Sequence, residues 1–94
     1  MDLKMLIIED DFRLAEAISD YFISKNWSTD HAPDGELALE KFATNHYQLI
    51  LLDVMIPKHN GFTVCRKIRE VSDVPIFFIT ADRKSTRLNS SHVF

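Results

Sequence analysis

The sequence predicts an α/β fold built on a parallel sheet, and three observations lead there. Short apolar runs without polar alternation, "KMLII", "YQLILLD" and "VPIFFIT", read as strands buried on both faces. Stretches with helical spacing of apolar residues separate them. The links are short, and the order β-α-β-α-β-α-β calls for helices on both faces of the sheet.

The elements follow in chain order. "KMLII" (Lys4–Ile8) is the first buried strand. In "EDDFRLAEAISDYFISKN", Leu14, Ile18 and Phe22 fall four residues apart, with Ala15 and Tyr21 beside them, which makes one helical stripe. Asp11 suits the cap of that helix and Asn26 a left-handed exit. "WSTDHA" (27–32) is a weaker, edge-like strand. "PDGELALEKFATN" opens on turn residues and continues as a short helix carrying Leu37, Ala38 and Phe42. "YQLILLD" is the second buried strand, "VMIPKHN" a loop, and "GFTVCRKIREV" a helix with Phe62, Cys65 and Ile68 on its apolar face. "VPIFFIT" (74–80) is the last buried strand.

With 94 residues the chain is one domain or part of one, and 46% hydrophobic and 27% charged residues fit a globular domain. A net charge of −3 leaves the chain as a whole without a nucleic-acid footprint. The single cysteine, Cys65, excludes an intrachain disulfide and reads as a buried apolar residue. No apolar run approaches the ~20 residues of a membrane span, and "MDLKMLIIEDD" lacks the features of a signal peptide, so no membrane role and a cytoplasmic location are expected.

The polar residues collect at strand ends. The first buried strand ends at Glu9, Asp10 and Asp11, the next at Asp53, and the last at Thr80. In an open parallel sheet these ends share one edge, where ligands bind. Asp11 reads first as a cap, and Thr80 alone is an ordinary strand residue. Clustered carboxylates must retain a proton or bind a cation. Oxygen ligands favour Mg²⁺ over zinc. His31, His46, His59 and His92 have no ligand spacing and read as surface residues.

Together "LIIEDD", "LILLDVMIPKHNGF" and "VPIFFITA" resemble the receiver domain of two-component response regulators, from about Lys4 to Ala81. "DVMIPKHNGFTVCRKIR" is similar to receivers attached to winged-helix DNA-binding domains. The resemblance implies a flavodoxin-like, doubly wound sheet of strand order 2-1-3-4. It implies Asp53 as phosphoacceptor, Asp10 and Asp53 as direct Mg²⁺ ligands, the Met55 backbone carbonyl as a third, and Glu9 acting through water. Thr80 would supply the switch hydroxyl to the phosphoryl group and Ala81 the room for it. Pro57 and Gly61 would shape the loop. A sensor histidine kinase is the implied donor, and DNA is reached only through an output domain absent from this chain. The phosphorylated parent is a candidate homodimer. The reaction is phosphoacceptance, with no enzymatic turnover.

A complete receiver continues past Thr80 with a helix, a fifth strand bearing a lysine and an aromatic, and a final helix. Here "DRKSTRLNSSHVF" follows instead, and Lys84 lies too close to Thr80 to replace that lysine. Residues 82–92 resemble an in-frame translation of a common sequencing-library adapter. The expectation is therefore a partial receiver domain over 1–81 and a non-native, disordered tail over 82–94. Loss of the later elements would leave the last strand an open edge and the first helix without a neighbour. Two other readings are a degenerate, phosphate-independent receiver acting as a binding module, and a phosphatase with an aspartate nucleophile. The first predicts loss of the acidic residues, which are present. The second predicts a carboxylate two residues after Asp53, where Met55 stands.

Overall fold

The computed structural model describes the backbone of residues 2–81 and 88–89 and the side chains of residues 2–79. The elements are β1 (Lys4–Ile8), α1 (Phe12–Ser24), β2 (Ser28–Ala32), α2 (Gly35–Thr44), β3 (Leu49–Asp53), α3 (Gly61–Arg69), β4 (Ile76–Ala81) and a two-residue β5 (Leu88–Asn89). The sheet order is β2-β1-β3-β4-β5, with the first four strands parallel. This is the flavodoxin-like 2-1-3-4 order. The β1, β3 and β4 runs are apolar between their ends because helices cover the faces of the sheet, although Phe77 of β4 stays 38% exposed.

Side-chain alternation divides the core in two. Leu6, Ile8, Ile50, Leu52, Ile76 and Phe78 face Ala38 of α2 and Val64, Cys65 and Ile68 of α3. Met5, Ile7, Leu51 and Ile79 face Ala15 of α1, with Ile18, Phe22 and Trp27 packed at the margin. Each fully buried Ile or Leu contributes roughly 1.5–3 kcal/mol, and these residues hold the strand ends in register. Asp11 caps α1 through Arg13 N and Leu14 N, and Asn26 takes φ 72° at its exit, as their residue types suggest. At the opposite edge of the sheet Tyr47 donates its hydroxyl to Asp30 Oδ2 (2.6 Å), and Lys4 Nζ approaches the same oxygen at 3.4 Å. That cluster ties β1, β2 and the entry to β3 together.

Several expectations need correction. Phe62 is 55% exposed, not on the buried face of α3. The inward positions are Gly61, Val64, Cys65 and Ile68, spaced i, i+3, i+4, i+7, and the Phe62 ring instead lies beside the Phe78 ring at 4.9 Å. Tyr21 is exposed as well, its ring meeting Phe22 and Lys25 Nζ. The stripe Leu14, Ile18 and Phe22 is only half-buried, and Phe12 and Ile23 are exposed, so part of the apolar surface of α1 stays uncovered among the described residues. His31 and His59 are half-buried rather than surface residues, because each is packed against a neighbouring element; His46 is exposed. β4 is not an open edge at its end: Thr80 and Ala81 pair antiparallel with Asn89 and Leu88, since unpaired strand-edge groups accept a chain within reach. Apart from Leu88 and Asn89, residues 82–94, Lys84 and His92 among them, lie outside the described residues.

Candidate functional site

The parallel register builds the site. Ile8 pairs with Leu52 across β1 and β3, so the next residue on each strand, Glu9 and Asp53, emerges on the same rim. Asp53 pairs with Ile79 of β4, which places the backbone of Thr80 one residue beyond it. Asp10 follows β1 directly. Glu9, Asp10 and Asp53 each offer a carboxylate oxygen within 4.8 Å of the other two. Glu9 and Asp53 are buried and Asp10 is exposed, so the cluster has a dry floor and a wet mouth.

Local hydrogen bonds aim these groups. Glu9 Oε2 accepts from Asp11 N (3.0 Å), and the Glu9 carbonyl accepts from His31 Nε2–H (2.6 Å). The His31 ring is held in turn edge-on to Phe12 at 5.2 Å. Asp53 Oδ1 accepts from Met55 N (3.0 Å). Asp11 stays outside the cluster as the α1 cap. Met55 presents an exposed side chain, leaving its backbone as the part that faces Asp53.

The loop after Asp53 is fixed at several points. Gly61 N donates to Val54 O (3.2 Å), and a Cβ on Gly61 would stand 2.7 Å from the Asp53 carbonyl and 2.6 Å from Val54 Cα. No larger residue fits there without moving the backbone of the acidic strand end. The Pro57 carbonyl accepts from both Gly35 N (3.2 Å) and His59 N (2.8 Å). Pro57 lies in the turn that follows the strand, and Gly61 opens α3. The Thr80 hydroxyl and the Ala81 side chain lie outside the described residues.

The electrostatics demand compensation. Like charges 4.8 Å apart repel by roughly 3 kcal/mol at an effective dielectric near 20. Burial, reinforced by Asp53 and Asp10 and opposed by the Asp11 N–H, pushes the Glu9 carboxyl up to about 8. Among the described residues, Glu9 Oε1 is buried with no hydrogen-bond partner. An unmet oxygen of this kind costs about 1–3 kcal/mol. An all-oxygen donor set with a deficit of positive charge fits a hard divalent cation such as Mg²⁺. The sequence indicated the three carboxylates through their strand-end positions. It did not reveal the His31 contact or the seat of the loop on Gly35, which bring together residues far apart in the chain and carry no motif.

The chain is similar to known proteins. The family model for the response regulator receiver domain matches residues 5–91. The transcriptional regulatory protein DltR of Streptococcus agalactiae is 41% identical over 80 residues, covering 84% of this chain and 36% of that protein. Response regulator ArlR of Staphylococcus saprophyticus is 45% identical over 78 residues, covering 83% and 36%. The chain therefore spans about a third of the length of these curated relatives. The BeF₃-activated receiver domain of Klebsiella pneumoniae RstA superimposes with a TM-score of 0.80 at 32% identity, over 84% of this chain and 68% of that one. Thermotoga maritima TrrA, solved in complex with Mg²⁺–BeF, gives 0.80 at 29% identity, over 87% and 72%.

Proposed function

This chain belongs to the response regulator receiver domain family, and from that premise we propose that it is the phosphoacceptor segment of a longer signalling protein. Asp53 takes a phosphoryl group from a sensor histidine kinase and becomes an aspartyl phosphate. The observation that carries this reading is the meeting of Glu9, Asp10 and Asp53, whose carboxylate oxygens lie within 4.8 Å of one another at the C-terminal rim of the sheet.

Asp10, Asp53 and the Met55 carbonyl would hold Mg²⁺ directly, with Glu9 acting through water. When bound, Mg²⁺ neutralises the incoming phosphoryl group and aligns it with its acceptor. The chain supplies the rest. Buried β3 holds the Asp53 carboxylate at a fixed height, and the Met55 N–H fixes one of its oxygens. Glu9, protonated in the metal-free site, would be ionised beside the bound cation. The Thr80 hydroxyl closes on a phosphoryl oxygen and Ala81 leaves space for it, while Pro57 and Gly61 keep the loop clear of the entering group. The added charge of up to about −2 then shifts a two-state surface elsewhere in the domain.

The parent acts in the cytoplasm without catalytic turnover. It controls transcription through a DNA-binding output domain outside this chain and homodimerises when phosphorylated. Names such as transcriptional regulatory protein DltR support that output. Residues 1–81 are the natural receiver segment, and 82–94 are foreign to it. Among the described residues no helix is long and apolar enough to cross a membrane.

The test is intact mass after incubating the full-length parent with acetyl phosphate. The mass of one phosphoryl group should appear with Mg²⁺, and should be absent with a chelator or in Asp53→Ala. Unchanged mass under conditions that label another receiver would overturn the reading.

A further inference from the structure

We propose that Gly35, at the first turn of α2, is a positioning residue for the loop that presents Met55 to the acidic site. The proposal rests on the phosphoacceptor reading above for its functional consequence. Its structural premise is independent of it.

The loop 54–60 runs from Asp53 to the start of α3. At its middle Lys58 takes φ 72°, a left-handed turn that an L-residue rarely adopts. That turn folds the loop onto the beginning of α2. There the Pro57 carbonyl accepts from Gly35 N, one of the amides that a helix start leaves without an intrahelical partner. Lys58 Nζ reaches the residues on either side of Gly35, Asp34 Oδ2 at 3.9 Å and Glu36 Oε1 at 3.6 Å.

Space decides which residue can stand at position 35. A Cβ built on Gly35 would lie 2.5 Å from His59 Cβ and 2.9 Å from Val64 Cγ2. Neither glycine of the chain has positive φ, so no backbone conformation requires Gly here. The close approach of His59 does. A side chain at 35 pushes His59 outward, and His59 N is bonded to Pro57 O two residues earlier in the same loop. The other end of the loop cannot yield, because Gly61 is already pressed against the Asp53 carbonyl. The displacement therefore falls on Val54, Met55 and Ile56, and through Met55 N on Asp53 Oδ1.

The experiment compares the 94-residue chain with Gly35→Ala, Gly35→Ala/His59→Gly and Glu40→Gly. Glu40 is exposed on α2 and remote from the loop, so its replacement weakens the helix without crowding the contact. Two quantities are read: the Met55 amide shift in metal-free ¹⁵N spectra, and Mg²⁺ affinity by calorimetry. Gly35→Ala should move the Met55 amide and weaken Mg²⁺ roughly 10- to 100-fold, the usual cost of disturbing a group that orients a ligand. Removing the His59 Cβ leaves only the 2.9 Å approach to the Val64 Cγ2 methyl, so it should restore most of both, and Glu40→Gly should leave both in place. The proposal is overturned if Gly35→Ala keeps the wild-type shift, if His59→Gly fails to rescue it, or if Glu40→Gly reproduces the loss. A Gly35→Ala chain that does not fold, and that His59→Gly leaves unfolded, overturns it as well. Wild type that binds no Mg²⁺ refutes the phosphoacceptor reading instead, and the amide shifts then decide the role of Gly35 alone.

Discussion

Replacing Glu9 by Gln tests the electrostatics of the site without changing its shape. In the folded, metal-free chain the Glu9 carboxyl is pushed from 4.5 up to about 8, chiefly by burial and then by Asp53 and Asp10. Between those values the unfolded chain has lost this proton and the folded chain keeps it. Protonation linkage then makes stability fall as pH rises, by about 1.4 kcal/mol per pH unit. Across the whole window the loss is on the order of a few kcal/mol, a sizeable share of the ~5–15 kcal/mol that stabilises a domain. Asp30 does not interfere. Its burial penalty is outweighed by Tyr47 and Lys4, its carboxyl is held below 3.8, and its contribution disappears only on acidification below that value. The assay is urea unfolding of wild type and Glu9→Gln in chelator, at steps from about pH 5 to about pH 8, the window that Glu9 sets. Wild type should lose stability steadily and Glu9→Gln should be nearly flat. Mg²⁺ should restore wild type at the alkaline end, by about 2.7 kcal/mol at a hundredfold excess over its Kd. A wild-type profile that is flat or rises with pH, or a Glu9→Gln profile with the same slope as wild type, would refute the reasoning.

Other variants probe the rest of the structure. Asp53→Asn should abolish phosphoryl labelling by intact mass and, by removing a neighbour that raises the Glu9 carboxyl, should stabilise the metal-free chain at alkaline pH in the same urea assay. Gly61→Ala forces a Cβ against Val54 Cα and the Asp53 carbonyl, so it should cost about 1–3 kcal/mol by thermal unfolding and reduce labelling of the parent. Tyr47→Phe leaves Asp30 without its 2.6 Å hydroxyl partner and should cost about 1–2 kcal/mol while leaving Mg²⁺ affinity unchanged, because this contact lies at the far edge of the sheet.

Some of this was legible in the sequence because it is local. "LILLD" ends in a carboxylate wherever the strand lies, and Asp11 and Asn26 have side chains suited to the two ends of α1. The strand-end rule then placed Glu9, Asp10 and Asp53 together, since parallel register leaves little freedom. What escaped depended on packing between distant segments. Phe62 was assigned to the wrong side of α3 because a helical wheel has no origin until Gly61 is seen pressed against Val54. His31 gave no spacing signal because its partner is a backbone carbonyl, which has no sequence signature. Gly35 read as an ordinary turn residue, and only its distance to His59 Cβ gives it a further role. The pairing of Leu88 and Asn89 with β4 was hidden because a polar, aperiodic stretch carries no strand pattern.

The most direct measurement replaces Mg²⁺ with paramagnetic Mn²⁺, a cation with the same taste for oxygen ligands, and follows the line broadening of amide resonances. Glu9, Asp10, Asp53 and Met55 should broaden first, and excess Mg²⁺ should bring their signals back. Broadening centred on another part of the chain, or spread evenly over its acidic surface, would contradict the Mg²⁺ site.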